Sequence, residues 1–282
     1  MSKIKGFIGE TLIYGFGNVF SRVFAMLLLP FYTNYLGKVD YSNIVMLQSG
    51  FTIISFLLGL TGGVFYYYYE YNNLRYRKIV FTSWFYYQLV ITVIISVTLF
   101  FVAPLLSSFF LVNAGNENQI HWAIVLIGVQ LFPYVLNITN INYFRINRKP
   151  KAVVLVVLLE SFFTVIFVLL SLTYFKLGII GVLLSQIAAR IIVSILFIKY
   201  SLYYINLKYY SRKLLKKLFL YSWPFIVSSM FTWTIMSIDK FIGAKILVDP
   251  SELAFLALSM QLVLPISVFA DMIRMALGPY VM

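Results

Sequence analysis

The chain has 282 residues, 62% of them hydrophobic, 19% aromatic and only 11% charged, where a soluble globular domain carries about 25% charged residues. It has no cysteine and one histidine, which excludes disulfides, thiol catalysis and Cys-based or multi-His metal sites. No soluble core of this size hides so much apolar surface. The net charge of +13 is therefore read as the orientation signal of a membrane protein rather than a nucleic-acid footprint.

Apolar runs reach the ~20 residues needed to cross a bilayer core eight times, near 11–32, 41–65, 79–103, 120–144, 152–175, 178–200, 218–238 and 253–275. They are continuously apolar rather than alternating, which excludes β-barrel strands. The expected fold class is all-α, a polytopic membrane helix bundle. The first run is too long for a signal peptide, and no small-residue cleavage site follows it. Short connections hold the turn and charge residues, among them Gly37 to Asp40, Asn72-Asn73, 113–118, 147–150, 176–178 and 248–250.

Charge alternates between these connections. One set carries Lys3 and Lys5, then Arg75, Arg77 and Lys78. It continues with Arg145, Arg148, Lys149 and Lys151, and ends with Lys199, Lys208, Arg212, Lys213, Lys216 and Lys217. The opposite set holds only Lys38, Lys176, Lys240 and Lys245. The positive-inside rule places the first set, and both termini, in the cytoplasm. The basic, Tyr-rich stretch 199–217 reads as an amphipathic segment lying on anionic lipid. It divides the chain into a six-helix bundle (1–200), a cytoplasmic linker (201–217) and the start of a second bundle (218–282), expected to be truncated. A faint repeat supports this division. Ile13-Tyr14-Gly15-Phe16-Gly17-Asn18 is echoed by Leu220-Tyr221-Ser222-Trp223-Pro224-Phe225 after a similar basic lead-in, as in transporters built from two bundles side by side.

Ionisable residues at membrane depth are costly and are functional suspects. Arg22 lies near the middle of the first span. Glu160 and Arg190 lie in spans five and six, each roughly 12–14 Å from the basic end at 1.5 Å per residue. Asp271 and Arg274 share one face of span eight. In the functional reading Arg22, Arg190 and Arg274 line a path for an anionic substrate, and Glu160 and Asp271 are ion-pair or coupling groups. In the structural reading Glu160–Arg190 fixes helix packing and Asp271–Arg274 is interfacial. The four tyrosines at 66–69 read as an aromatic belt. His121 is given no role. Asp239 and Lys240 read as a cap closing span seven. Pro30, Pro133, Pro224 and Pro265 either break or kink their helices. No P-loop, phosphate-cradling Gly motif or catalytic triad is present, so no cofactor and no enzyme activity are expected.

Leu27-Leu28-Leu29-Pro30-Phe31-Tyr32-Thr33-Asn34-Tyr35-Leu36 resembles the LPLYT-x-Y-L end of the first span in Wzx-type polysaccharide flippases. Tyr14-Gly15 with Gly17-Asn18 and Ser21-Arg22, Phe144-Arg145-Ile146-Asn147-Arg148, Tyr221-Ser222-Trp223-Pro224-Phe225 and Ser237-Ile238-Asp239-Lys240-Phe241-Ile242-Gly243 resemble that family's later patterns in order and spacing. The resemblance implies a member of the multidrug/oligosaccharidyl-lipid/polysaccharide exporter superfamily in a bacterial inner membrane. Such a protein moves undecaprenyl-pyrophosphate-linked oligosaccharide to the outer leaflet by alternating access between two six-helix bundles. It implies a cationic role for Arg22, with membrane lipids, a polysaccharide polymerase and chain-length machinery as partners and no nucleic acid. The competing expectations are a cation-coupled multidrug exporter of the related efflux family and a membrane polysaccharide polymerase or ligase.

Overall fold

The computed structural model describes residues 2–70, 73–108, 110, 117–246, 252, 255–256 and 258–259. Nine α-helices follow in order among these residues: α1 (Ser2–Leu27), α2 (Leu29–Tyr35), α3 (Gly37–Leu57), α4 (Thr61–Glu70), α5 (Leu74–Ser107), α6 (Glu117–Ile146), α7 (Pro150–Thr173), α8 (Gly178–Leu202) and α9 (Arg212–Ile246). Seven stretches within the described residues are long and apolar enough to cross a membrane, and each overlaps a span expected from the sequence. The eighth expected span, with Asp271, Arg274 and Pro265, lies outside the described residues.

Local chemistry explains the boundaries. Asn73 caps α5 by accepting from Arg75 N at 2.9 Å, satisfying one donor that helix geometry leaves open. Pro150 opens α7 and Pro30 opens α2, where a missing N–H costs nothing. Pro30 thus marks a true interruption, between α1 and α2. Pro133 and Pro224 instead lie inside continuous helices.

α6 sits centrally, packed between α5 and α8, while α7 joins α8 to α1. α9 lies across α3, α4 and α5. At Gly128 of α6 an added Cβ would stand 3.1 Å from Ser96 Cα, so α5 and α6 cross at backbone contact there. Ser96 Oγ uses that closeness to donate to Gly128 O at 2.8 Å. Small residues permit this kind of approach in membrane bundles.

Two sequence expectations change. The basic stretch after α8 is also tied to the bundle. It makes a short 3-10 turn (Leu207–Tyr209) and docks on α5. Thr82 Oγ1 donates to Tyr204 O at 2.8 Å, and Ser211 N donates to Ser83 Oγ at 2.9 Å. α9 then begins at Arg212 rather than near 218.

The second change is larger. The second span is not one helix but α3 and α4, broken at residues 58–60. Three glycines in five positions (Gly59, Gly62, Gly63) make the region a poor helix former. A break inside hydrocarbon frees backbone groups that must find partners, and here neighbouring helices supply them. Tyr87 OH donates to Leu57 O at 2.9 Å and Gln88 Nε2 to Leu58 O at 3.3 Å, both from α5. From α9, Ser222 Oγ donates to Leu60 O at 3.2 Å and accepts from Gly63 N at 2.9 Å.

Ser222→Ala removes both of the α9 bonds and leaves the buried Gly63 N–H open, while Leu60 O keeps its bond from Val64 N at 3.0 Å. A buried open group costs about 1–3 kcal/mol, so the variant is expected to melt several degrees lower in detergent. An unchanged melting temperature would show that the α9 clasp adds no stability.

Candidate functional site

The inner faces of six helices meet around a cleft of about 490 Å³, α2 contributing Tyr32. Ser21, Phe24 and Ala25 come from α1, Leu28 from the turn that follows it, and Gln48, Phe51 and Thr52 from α3. Val157, Glu160, Ser161 and Thr164 come from α7, and Gln186 and Arg190 from α8. These spacings of three and four place each set on one helix face. α6 adds Ile127 and Gln130.

Glu160 and Arg190 meet in this wall. Arg190 Nε donates to Glu160 Oε1 at 2.8 Å, with the side chains 16% and 23% exposed for Arg190 and Glu160 respectively. Glu160 Oε2 accepts from Asn137 Nδ2 of α6. The guanidinium lies over the rings of Phe51 and Tyr134, 4.8 and 5.6 Å from their centroids, a favourable cation–π placement. One charge pair therefore ties α3, α6, α7 and α8 together near the middle of the bundle. Beside it Gln130 Nε2 donates to Gln186 Oε1 at 2.9 Å. Three buried atoms of this network have no hydrogen-bond partner among the described residues: Arg190 Nη1, Gln130 Oε1 and Asn137 Oδ1. These atoms are closed off from the cleft, so the wall offers its accessible amide, hydroxyl and ion-pair groups, with no net charge from the pair. Its chemistry suits polar groups rich in hydroxyls and amides.

The other residues singled out from the sequence fall as follows. Arg22 is half-buried next to Ser21 but is not among the residues lining the cleft. Arg274 and Asp271 lie outside the described residues. The tyrosines at 66–69 are engaged by protein. Tyr66 stacks on Tyr221 at 4.7 Å, Tyr68 OH donates to Tyr204 OH at 3.3 Å and Tyr69 OH donates to Ile146 O. Asp239 and Lys240 lie within α9 rather than at its end, and Lys240 Nζ reaches Ser49 Oγ at 3.5 Å. Among the described residues no three of His, Asp and Glu come together as metal ligands. The sequence reading missed Gln48, Gln130, Asn137 and Gln186. Their signal was present, since amides inside apolar spans are the usual interhelical glue.

A double-mutant cycle tests the pair. Glu160→Gln and Arg190→Gln each leave one partner uncompensated and are expected to destabilise by about 1–3 kcal/mol, between the exposed and fully buried limits. The double variant is expected to recover most of that loss in a detergent melt. Additive losses would show that the pair is not energetically coupled.

The chain is similar in fold to the MATE multidrug transporter DinF-BH in complex with R6G, with 13% identity and a TM-score of 0.83 over 98% of this chain and 64% of that one. It is also similar to an outward-facing multidrug resistance MATE family transporter of the MOP superfamily (17% identity, TM-score 0.73, 96% of this chain and 62% of that one). An inward-facing form of such a transporter aligns at 18% identity and a TM-score of 0.66, covering 93% of this chain and 60% of that one. The chain thus spans under two thirds of the length of these transporters, and identities this low show a shared fold alone. No curated protein matches the chain. A family model described as polysaccharide biosynthesis protein matches residues 73–281, well over half of the sequence, and the chain belongs to that family.

Proposed function

We propose that this chain is the membrane-embedded part of a flippase that carries undecaprenyl-pyrophosphate-linked oligosaccharide across a bacterial inner membrane for surface polysaccharide synthesis. The observation that carries the reading is a hydrogen-bonding cleft at mid-bundle in a chain of the polysaccharide biosynthesis family. Sugar hydroxyls both donate and accept, as do Gln130, Gln186 and the Glu160–Arg190 pair. Arg22 flanks the cleft through Ser21. Arg22, Arg190 and Arg274 are the cationic candidates of this reading, Arg190 being compensated by Glu160, and Glu160 and Asp271 are its coupling candidates. The basic end of the bundle faces the cytoplasm under the positive-inside rule. A polymerase and chain-length machinery would receive the product.

The second reading is a cation-coupled multidrug exporter, favoured by the fold of the MATE transporters. Against it stands the balance of charge. A cationic drug in hydrocarbon needs an uncompensated acid, and Glu160 in the cleft wall is already paired with Arg190 at 2.8 Å.

Deleting the gene is expected to leave lipid-linked repeat units on the cytoplasmic leaflet and to deplete surface polysaccharide. The paired variant Gln130→Leu/Gln186→Leu, which removes two hydrogen-bonding amides together, is expected to reduce transport about tenfold with membrane insertion intact. Unchanged leaflet distribution together with raised drug sensitivity in the deletion strain would favour the exporter instead.

A further inference from the structure

We propose that the basic end of the bundle holds a binding site for the phosphate headgroup of an anionic phospholipid, formed where α5 and α9 begin. A cavity of about 370 Å³ lies there, lined by Asn73, Tyr76, Ile79, Ser211, Lys213, Leu214 and Lys217. The site is independent of what the protein transports.

Four of the basic side chains at this end are already used by the fold. Arg77 Nε donates to Tyr68 O at 3.3 Å, and its guanidinium lies over the Tyr68 ring. Lys78 lies 4.1 Å from the Tyr203 ring centroid. Arg145 lies over Phe65 and reaches Asn142 Oδ1, and Lys199 lies over Tyr200. Lys213 and Lys217 differ. They are exposed, form no ion pair among the described residues and stand four apart on one face of α9, both bordering the cavity.

The remaining polar capacity around the cavity points the same way. Asn73 Oδ1 is occupied by Arg75 N at 2.9 Å, leaving its Nδ2 group to donate. Ser211 Oγ accepts from Leu214 N at 3.3 Å, leaving its hydroxyl hydrogen to donate. Two ammonium groups, an amide and a hydroxyl thus present donors to one space, and phosphate oxygens are acceptors only. Glu70 comes near through Tyr76, whose hydroxyl donates to it at 3.2 Å, but it does not line the cavity. Ile79 and Leu214 add an apolar wall suited to the glycerol and upper acyl carbons of a lipid rather than to free phosphate. The location fits as well. The end of a membrane bundle sits in the headgroup layer, where each Lys near the surface strengthens anionic lipid binding severalfold.

The test uses the full chain purified in detergent and native mass spectrometry, with phosphatidylglycerol, phosphatidylcholine and inorganic phosphate as probes. Phosphatidylglycerol is expected to stay bound where phosphatidylcholine does not. Lys213→Gln/Lys217→Gln is expected to weaken that retention roughly twentyfold. Lys208→Gln/Lys216→Gln changes the net charge equally at two exposed lysines outside the cavity, and is expected to shift retention less than twofold. Equal loss in the two double variants would reduce the effect to general charge and overturn the site. Equal retention of phosphatidylcholine would overturn the headgroup assignment. Displacement of the lipid by inorganic phosphate at matched concentration would reassign the cavity to free phosphate.

Discussion

The arrangement rests on one constraint: a backbone N–H or C=O released inside hydrocarbon must be bonded to something. The second span breaks at residues 58–60, and the freed Leu57 carbonyl and Gly63 N–H, with the carbonyls of Leu58 and Leu60 between them, take partners from the helices that stand beside it. α5 must come close enough for Tyr87 and Gln88 to reach them, and α9 close enough for Ser222. At Gly63 an added Cβ would lie 2.7 Å from Ser222 Oγ and 2.8 Å from Leu218 O. No other residue type allows α9 so near. The first helix after the linker is therefore fastened to the break rather than resting loosely against the preceding helices.

α6 repeats the principle with side chains. Lipid tails are as apolar as leucine, so burial alone gives membrane helices little reason to associate, and polar contacts take up the role. Gln130 bonds across to α8, Asn137 to Glu160 on α7, and Asn140 to Ser194 and Ser201 on α8. The cleft follows from the same layout. α1 packs mainly on α7, drawn in where a Cβ at Gly17 would stand 2.8 Å from Val154. The space between α1, α3 and α6 is left unfilled, and the polar faces of α7 and α8 open into it. One set of residues both holds the helices and shapes the site.

The extent to which this was readable from the sequence depends on how local each signal is. Span positions were legible because apolar length is a local property, but the prolines alone did not say that Pro30 interrupts its helix while Pro133 and Pro224 lie within theirs. Nor was the break at Gly59 legible. Its sequence remains apolar, and what permits it, the hydroxyls of Tyr87 and Ser222, is supplied from distant parts of the chain. The Glu160–Arg190 pairing was foreseen from equal depth on consecutive antiparallel helices, but Asn137, which holds the other carboxylate oxygen, belongs to a third helix and no spacing rule reaches it. Arg22 illustrates the limit of depth alone: centrality in a span does not say which way a side chain faces, and the cleft wall takes Ser21 instead.

Charge is distributed in two ways that bear on the proposed transport. At mid-bundle an isolated Arg190 would cost several kcal/mol, and the structure cancels much of that cost with Glu160 at 2.8 Å and with two aromatic faces. Uncompensated lysines lie instead at the basic end, where the headgroup layer hydrates them at little cost. A lipid-linked oligosaccharide has the same division within one molecule, with phosphate charge at the headgroup level and uncharged hydroxyls along the glycan. Under the flippase reading, the sugars meet the neutral hydrogen-bonding wall while the charged headgroup need not leave the basic end until the bundle rearranges. A cleft with strong fixed positive charge would hold the pyrophosphate at mid-membrane and slow its release; a compensated pair can bind without trapping.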